Sequence, residues 1–260
     1  NDIITNQTKY PVGDPIVISA ANDYVLAFQE GRDRSYDVLL SNGSYDLGGD
    51  ILTRGVYKIG DAATMTSDLT LDGAGDPTSV FIIQIGSTFT TTANIKLIND
   101  AQPKNIYWIV VSTSIIGADT NLAGVMITGS TVNVKDNTII RGSILSRSNG
   151  EPTIYGSQIL DAQGNPDAYF VFRSSLNLTF QQDTNTVLIN GSQSSNVFWI
   201  TDKSVNVESN VNLTGNIIMG TGGVTPGENL LLDGRLLSTG GALTLNNAIF
   251  SKATGNTSLP

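Results

Sequence analysis

Few residues in this chain could carry out bond-making chemistry. The protein has 260 residues and contains neither His nor Cys. Without His there is no Ser-His-Asp or Cys-His catalysis and no imidazole ligand for a metal. Without Cys there is no disulfide, thiolate zinc site or iron–sulfur cluster. Carboxylates, cationic side chains and hydroxyl groups are the chemistry that remains.

The carboxylates include two pairs that could share a ligand, Asp72 with Asp76 and Asp161 with Asp167. Ca²⁺ prefers several oxygen ligands, so a calcium site is one interpretation. Both pairs lack the dense Asp pattern and the closing Glu of a calcium loop, and the Gly, Asp and Pro around them are typical turn residues. Hydrolases and lyases need carboxylates or cations grouped on one face. Here they are scattered, so we expect no enzyme, no metal and no cofactor.

The overall charge is acidic and sparse. Lys and Arg number 14 against 23 Asp and Glu, which gives a net charge of −9, and only 14% of residues are charged. Such a chain lacks the basic stripe that nucleic acids or anionic membranes require. Its longest apolar runs, such as residues 106–111, are far shorter than the roughly 20 residues of a membrane helix. We expect neither nucleic-acid binding nor membrane insertion.

One segment near the start has the pattern of a helix. Asp14 is a good N-cap and Pro15 suits the first helical position, while Gly31 supplies a stop. Apolar residues between them are spaced 4, 3 and 4 apart, at Val17, Ala21, Tyr24 and Phe28. A strand through residues 16–18 is the alternative, but residues 20–30 are mostly good helix formers. The pattern predicts a helix over residues 14–31 that lies along an apolar surface.

After Gly48-Gly49 the sequence changes to short runs rich in Val, Ile, Thr and Phe, separated by Gly, Asn, Asp and Ser. These runs predict many short strands and no second helix. They lie at residues 56–59, 69–71, 80–85, 95–98, 106–111, 124–128, 132–134, 139–145, 169–172, 197–201, 216–219 and 243–245.

The chain also repeats itself. Residues 71–83 recur as 160–172, and Asn105-Ile106-Tyr107-Trp108-Ile109 returns as Asn196-Val197-Phe198-Trp199-Ile200, so residues 68–156 and 157–250 form two related units. Strands every 8–12 residues with adjacent apolar side chains favour a β-solenoid over a sandwich. We expect an arm and helix over residues 1–50, a solenoid over 51–260, and one structural domain. Trp108 and Trp199 occupy equivalent places in apolar runs, which favours core packing over sugar stacking.

Several motifs resemble those of the microbial ice-binding protein family. They include Gly55-Val56-Tyr57-Lys58, Asn105-Ile106-Tyr107-Trp108 and Gly142-Ser143-Ile144-Leu145-Ser146, and they run in order through most of residues 46–250. The resemblance implies an all-β fold, a right-handed triangular β-solenoid with one long α-helix packed alongside. Two departures stand out: only Asn1–Gly13 precede the helix, where the family usually has a strand-rich section, and the unit after the helix occurs twice instead of once.

The resemblance also implies a secreted, non-catalytic protein that binds ice with a flat face. Thr suits such a face because its χ1 is stiff and it carries a methyl and a hydroxyl together. Alternation along a strand places Thr88, Thr90 and Thr92 on one side, and Thr128-Gly129-Ser130-Thr131 resembles the family's short ice-face motif. The candidate residues are therefore Thr88, Thr90, Thr92, Thr128, Ser130 and Thr131. The alternative is that Thr is only a good strand former on a wet sheet.

A structural role is the rival interpretation. The ends of a solenoid are unpaired strand edges that can recruit another chain. Asn1–Gly13 could then serve as an extended arm on a neighbouring copy, in a filament or a cell-surface adhesin. In either interpretation we expect the protein outside the cell or at its surface, and if it is exported, Asn1 begins the processed chain.

Overall fold

The computed structural model describes residues 15–147, 150–241 and 248–251. Helix α1 (Pro15–Asp33) comes first, followed by strands that all pair in parallel and form three sheets. Sheet A holds β1 (Val38–Ser41), β4 (Gly55–Ile59), β7 (Phe81–Ile85), β10 (Ile106–Val110), β12 (Asn121–Thr128), β14 (Thr138–Ser146), β16 (Ser157–Asp161), β17 (Phe170–Ser174), β19 (Asn185–Ile189), β20 (Val197–Thr201), β22 (Asn212–Met219), β24 (Leu231–Ser238) and β25 (Ile249–Ser251). Sheet B holds β2 (Tyr45–Asp46), β5 (Ala63–Met65), β8 (Phe89–Thr91), β11 (Ser114–Ile116), β13 (Val132–Val134), β15 (Thr153–Ile154), β18 (Leu178–Phe180), β21 (Val205–Val207) and β23 (Val224–Pro226). Sheet C holds β3 (Ile51–Leu52), β6 (Leu69–Asp72) and β9 (Ile95–Ile98).

In the coils up to β9 the chain visits the three sheets in turn and returns one strand further along. Thus β4, β5 and β6 make one coil, and β7, β8 and β9 make the next. Their strands pair in register on every side, as Tyr57 with Ile83 in sheet A and Thr64 with Thr90 in sheet B. From β12 onward the strands of the third side belong to sheet A, because long strands such as β12 and β14 run from that side into sheet A without a break. Mostly parallel β structure wound this way is a β-solenoid, which confirms the predicted fold class.

Side chains that point inward from the three sheets fill the core. The two largest, Trp108 and Trp199, are 0% exposed. The Trp108 ring stacks on Phe89 with centroids 5.2 Å apart, and Trp199 stacks on Phe172 at 4.0 Å. Each indole N–H donates to a backbone carbonyl at 2.9 Å, so neither burial leaves an unpaired donor. The prediction that both tryptophans belong to the core is confirmed.

Four long strands pass from one side of the solenoid to another without a loop, namely β12, β14, β22 and β24. Each crosses this corner at a glycine: Gly124, Gly142, Gly215 and Gly234. Gly124 has φ +107°, and a Cβ there would lie 2.6 Å from the Ile106 carbonyl oxygen. A residue with a side chain would be strained by the positive φ and by this contact, so glycine allows the strands to cross the corner closely packed.

Helix α1 packs on the outward side of sheet A. Phe28 is 3% exposed and packs with Ile82, Ile109 and Ile127. The predicted helix is confirmed within the described residues, which begin after Asp14, but Gly31 does not end it, since α1 continues to Asp33. Gly31 instead allows close packing, because a Cβ there would lie 2.7 Å from the Ile109 Cδ1 atom. No described helix is long and apolar enough to cross a membrane.

The order of elements from β6 to β14 recurs from β16 to β24, including a short 3-10 helix at Pro103–Asn105 and again at Ser194–Asn196. The first coil begins earlier than expected. Strand β1 already pairs with β4, and β2 with β5, so residue 51 is not the start of the solenoid. The sequence pattern did not predict the short strands at Val38–Ser41 and Tyr45–Asp46, because polar and Gly residues flank them. The strand predicted at residues 243–245 lies outside the described residues.

Candidate functional site

Within the part of the chain that the structure describes, the outer side of sheet B is open to solvent. In β8, Phe89 and Thr91 point into the core while Thr90 is half-buried on the outer side, with exposed Thr88 and Thr92 on either side of it. The prediction that these three threonines share one side of a strand agrees with this burial pattern. Neighbouring residues on that side are two positions apart, about 6.6–6.8 Å along the strand.

Strand register extends this row across neighbouring coils. Thr90 pairs with Thr64 of β5 and with Ile115 of β11, which pairs with Asn133 of β13. A second row of outward residues lies just before these strands, and backbone hydrogen bonds align it. The Ala63 N–H donates to the Thr88 carbonyl, the Phe89 N–H to the Thr113 carbonyl and the Ser114 N–H to the Thr131 carbonyl. Adjacent coils lie about 4.7–4.9 Å apart.

We call this surface the Thr face. It consists of the outward residues of β5, β8, β11 and β13 together with the outward residues just before and after each strand. Seven are threonines, namely Thr64, Thr66, Thr88, Thr90, Thr92, Thr113 and Thr131, and the others are Ala62, Ile115, Gly117, Asn133 and Lys135. Lys135 is the one charged residue of this set, and its ammonium lies 3.8 Å from the centroid of the Tyr155 ring.

The Thr face lies between Lys135 at one edge and an aspartate at the opposite edge. Asp46 of β2 accepts hydrogen bonds from the Thr66 hydroxyl and from the Thr66 N–H. These contacts fix the Thr66 side chain in one orientation. The Thr66 hydroxyl bond, aided by backbone N–H donors, outweighs burial and lowers the pKa of Asp46, so the carboxylate is ionised at neutral pH.

Beyond Lys135 the outward residues of sheet B change character. Thr153 and Thr179 continue the central row, but the flanking row contains Glu151, which accepts a hydrogen bond from the Asn177 side chain at 2.7 Å. Charged and amide groups that bond to one another compete with an ordered water layer. The threonine array is therefore confined to the four coils of β5, β8, β11 and β13, where Lys135 is the one charged outward residue.

Thr128 does not lie on this surface, contrary to the expectation from its motif. It ends β12 in sheet A and is 0% exposed. Its hydroxyl donates to the Ser130 carbonyl at 2.7 Å, and the Ser146 hydroxyl donates to the same oxygen at 2.6 Å. Thr128 thus stabilises the corner between sheets A and B. Ser130 forms that corner, and the Thr face begins only at Thr131.

The other sides of the solenoid are less suited to a flat contact. Helix α1 packs on β7, β10 and β12 of sheet A. The outer side of sheet C is charged, with an ion pair between Lys96 and Asp68 at 2.9 Å. The sequence did not predict three members of the Thr face, namely Thr64, Thr66 and Thr113. The alternation in Thr64-Met65-Thr66, which matches that of residues 88–92, could have indicated the first two.

The aspartate pairs form turns, as expected. Asp72 accepts from the Ala74 N–H at 2.8 Å and from the Asn99 side chain at 2.9 Å. Asp161 accepts from the Gln163 N–H at 2.9 Å and from the Asn190 side chain at 2.8 Å. In the part of the chain that the structure describes, neither pair joins a group of three carboxylates that could hold a metal ion.

Comparison with known proteins agrees with this architecture. The sequence profile of the ice-binding-like family matches residues 3–154 and, a second time, residues 147–251. The chain belongs to the ice-binding-like family. Its double match agrees with the internal repeat.

Individual relatives cover parts of the chain. Ice-binding protein 1 of Shewanella frigidimarina is 46% identical over 100 residues, which are 38% of this chain and 11% of that protein. The chain therefore spans only a small part of that relative's length. A solved domain of the same Shewanella protein has a TM-score of 0.51 at 31% identity, covering 59% of this chain and 67% of its own. An ice-binding protein from an Antarctic biological consortium has a TM-score of 0.52 at 33% identity, covering 56% and 67%.

Proposed function

We propose that this protein binds ice through the Thr face and has no catalytic role. The observation that supports this most strongly is the array of seven threonines on four consecutive coils. A parallel sheet holds their methyl and hydroxyl groups at fixed spacings in two directions. Both spacings are comparable with oxygen repeat distances in ice. A rigid array of this kind can order water into an ice-like layer that joins a crystal.

Rigidity favours this function over a general wet surface. Thr has a restricted χ1 in a strand, so little side-chain entropy is lost when the layer forms. The inward neighbours Phe89 and Thr91 are buried, which fixes the backbone beneath Thr90. The related proteins named above are themselves described as ice-binding proteins. Since ice forms in the water around cells, the proposed function places the protein outside the cell or at its surface.

Thermal hysteresis and ice-recrystallisation inhibition test the proposal with the purified chain. We expect activity in both assays for the wild type. Thr90→Tyr places a bulky ring at the centre of the array and should remove most of the activity in both assays. Thr90 is the better target because Thr128→Tyr would overpack the buried corner.

Two control variants test the location. Thr70→Tyr makes the same change on β6 of sheet C, and Thr179→Tyr makes it on sheet B beyond the charged border. Both should retain most of the activity. Inactivity of the wild type in both assays would refute ice binding, whereas equal losses in all three variants would refute the Thr face as its location. Ordered fibres of inactive protein under negative stain would instead support a filament subunit.

A further inference from the structure

A groove of about 370 Å³ lies where the two repeated units meet. One wall is the loop at residues 102–104, before β10, and the other is formed by residues 161–170, around the loop before β17. Strands β12 and β14 cross this corner without loops and provide the floor, through Val125, Gly142 and Ser143. The loops precede strands that are three spacings apart in the sheet, about 14 Å. This volume falls within the range of small-molecule sites.

A counterpart of this groove lies where the first unit meets the residues before it; we call it the first groove and the inter-unit groove the second groove. It measures about 410 Å³ and is lined by Arg54, Asp76 and Val80. Arg54 precedes Gly55 on β4 as Arg141 precedes Gly142 on β14, and β4 pairs with β7 as β14 pairs with β17. An arginine therefore occupies the equivalent place beside each groove, but its aspartate partner differs, because Asp161 aligns with Asp72 in the repeat and Asp76 aligns with Asn165. The Arg54–Asp76 distance is 3.7 Å in the first groove, and the Arg141–Asp161 distance is 2.8 Å in the second.

The second groove is the better built of the two. The side chain of Arg141 is 21% exposed and that of Asp161 is 4% exposed, whereas that of Arg54 is 74% exposed. Asp161 Oδ2 accepts from Arg141 Nε, and Asp161 Oδ1 is occupied by the turn described above. The two Nη groups of Arg141 donate to no described residue. A positioned guanidinium, with Nη donors that have no partner among the described residues, thus lines the groove.

The charges of the lining cancel. Lys104 and Arg141 face Asp161 and Asp167 across a space otherwise lined by amide, backbone and apolar groups. Burial raises the pKa of Asp161, but hydrogen bonds from Asn190, Gln163 and Arg141 outweigh it, so the pKa is lowered and the group stays ionised. A groove with balanced charges disfavours phosphates and polyanions and suits a neutral ligand with many hydroxyls.

An exposed aromatic ring completes the site. Tyr169 lines the groove and is 62% exposed, although one side of it is stacked near Phe198 at a centroid distance of 6.2 Å. Its counterpart in the first groove is Val80. A flat aromatic surface beside planar amide, carboxylate and guanidinium groups is the chemistry that recognises sugars. The ring contacts the apolar face of a pyranose while the polar groups bond to its hydroxyls.

We propose that the groove between the two units binds a neutral glycan, with Tyr169 as the stacking platform and Arg141 and Asp161 as hydrogen-bonding partners. This site lies between the middle of β14, at residues 141–143, and the loop before β17, and it does not include any residue of the Thr face. Glycan binding would therefore be independent of ice binding.

Isothermal titration calorimetry with four neutral probes tests the site: maltohexaose, cellohexaose, laminarihexaose and mannohexaose. We expect at least one of them to bind the full chain. Tyr169→Val installs the residue of the first groove at a mostly exposed position and should weaken that binding about tenfold or more, as truncation of an aromatic anchor does. Tyr36→Val, which also removes a largely exposed tyrosine, is the matched control and should bind like the wild type.

Three results would overturn the proposal. One is that none of the four hexasaccharides binds at millimolar concentration. The second is that Tyr169→Val binds as tightly as the wild type. The third is that dextran sulfate binds in the groove in place of the neutral sugars, with a loss of affinity in Tyr169→Val. Circular dichroism and thermal hysteresis of each variant distinguish a lost site from a lost fold.

Discussion

Phe28 joins helix α1 to the solenoid, and its removal should release the helix while leaving the Thr face intact. The side chain is 3% exposed and packs on Ile82, Ile109 and Ile127. The guanidinium of Arg147 also lies 4.5 Å from the centroid of its ring. Phe28→Ala therefore removes the central contact of this cluster.

The size of the effect follows from the buried area. A buried Phe covers about 150–250 Å², which at about 25 cal/mol per Å² corresponds to about 4–6 kcal/mol. The extended-chain reference makes this an upper bound, and Ala retains the β-carbon. We expect a loss of about 3 kcal/mol, within the range of large-to-small core substitutions. Leu26→Ala, on the same helix but 59% exposed, should cost less than about 0.5 kcal/mol.

Hydrogen exchange of the α1 amides is the direct assay, because a solenoid can open locally without unfolding as a whole. Phe28→Ala should accelerate exchange in α1 and in the outer residues of β7 and β10, with little change in β8. Thermal hysteresis should be retained, since the Thr face is on another sheet. Unchanged exchange in α1 would refute the role assigned to Phe28, and loss of hysteresis would refute the independence of the two sides.

Two further predictions concern the corner and the inter-unit groove. Gly124→Ala should lower the free energy of unfolding by about 2–4 kcal/mol, because its Cβ would meet the Ile106 carbonyl at positive φ. Gly75 also has positive φ but nothing within 4 Å of an added Cβ, so Gly75→Ala should cost only about 1 kcal/mol. Urea unfolding compares the two variants, and equal losses would contradict the steric argument. Because the pKa of Asp161 is lowered in the folded protein, its ionised form stabilises the fold above the unfolded-state pKa of about 3.9. This contribution is lost as the pH falls through the folded-state pKa. Asp161→Asn should therefore reduce the loss of stability at acidic pH, and an unchanged loss would contradict this role.

Much of the fold could be predicted because it depends on local patterns. Short β-branched runs between turn residues define the strands, and the spacing of apolar residues up to Phe28 defines the helix. The end of the helix could not be predicted in this way. Gly31 is a typical helix-stop residue. The Gln84 side chain, however, donates hydrogen bonds to the carbonyls of Gly31 and Arg34, so a distant strand stabilises the helix end. Only tertiary packing reveals that contact.

The candidate face was predictable in part, for a related reason. Alternation within one strand correctly grouped Thr88, Thr90 and Thr92. The motif at residues 128–131 spans a corner, so Thr128 points into the core and Thr131 points outward. Since a shift of one residue reverses every side chain of a strand, the position of a corner decides which threonines face solvent. Coil register, which joins Thr64 to Thr90, is likewise absent from any single segment.

Uptake into growing ice measures the central claim most directly. Equal amounts of the wild type, Thr90→Tyr and Thr70→Tyr are held in solution around a slowly growing ice surface, and the protein concentration in the melted ice is compared with that in the liquid. We expect enrichment of the wild type and of Thr70→Tyr in ice and exclusion of Thr90→Tyr. Exclusion of the wild type, or equal enrichment of Thr90→Tyr, would contradict binding of ice by the Thr face.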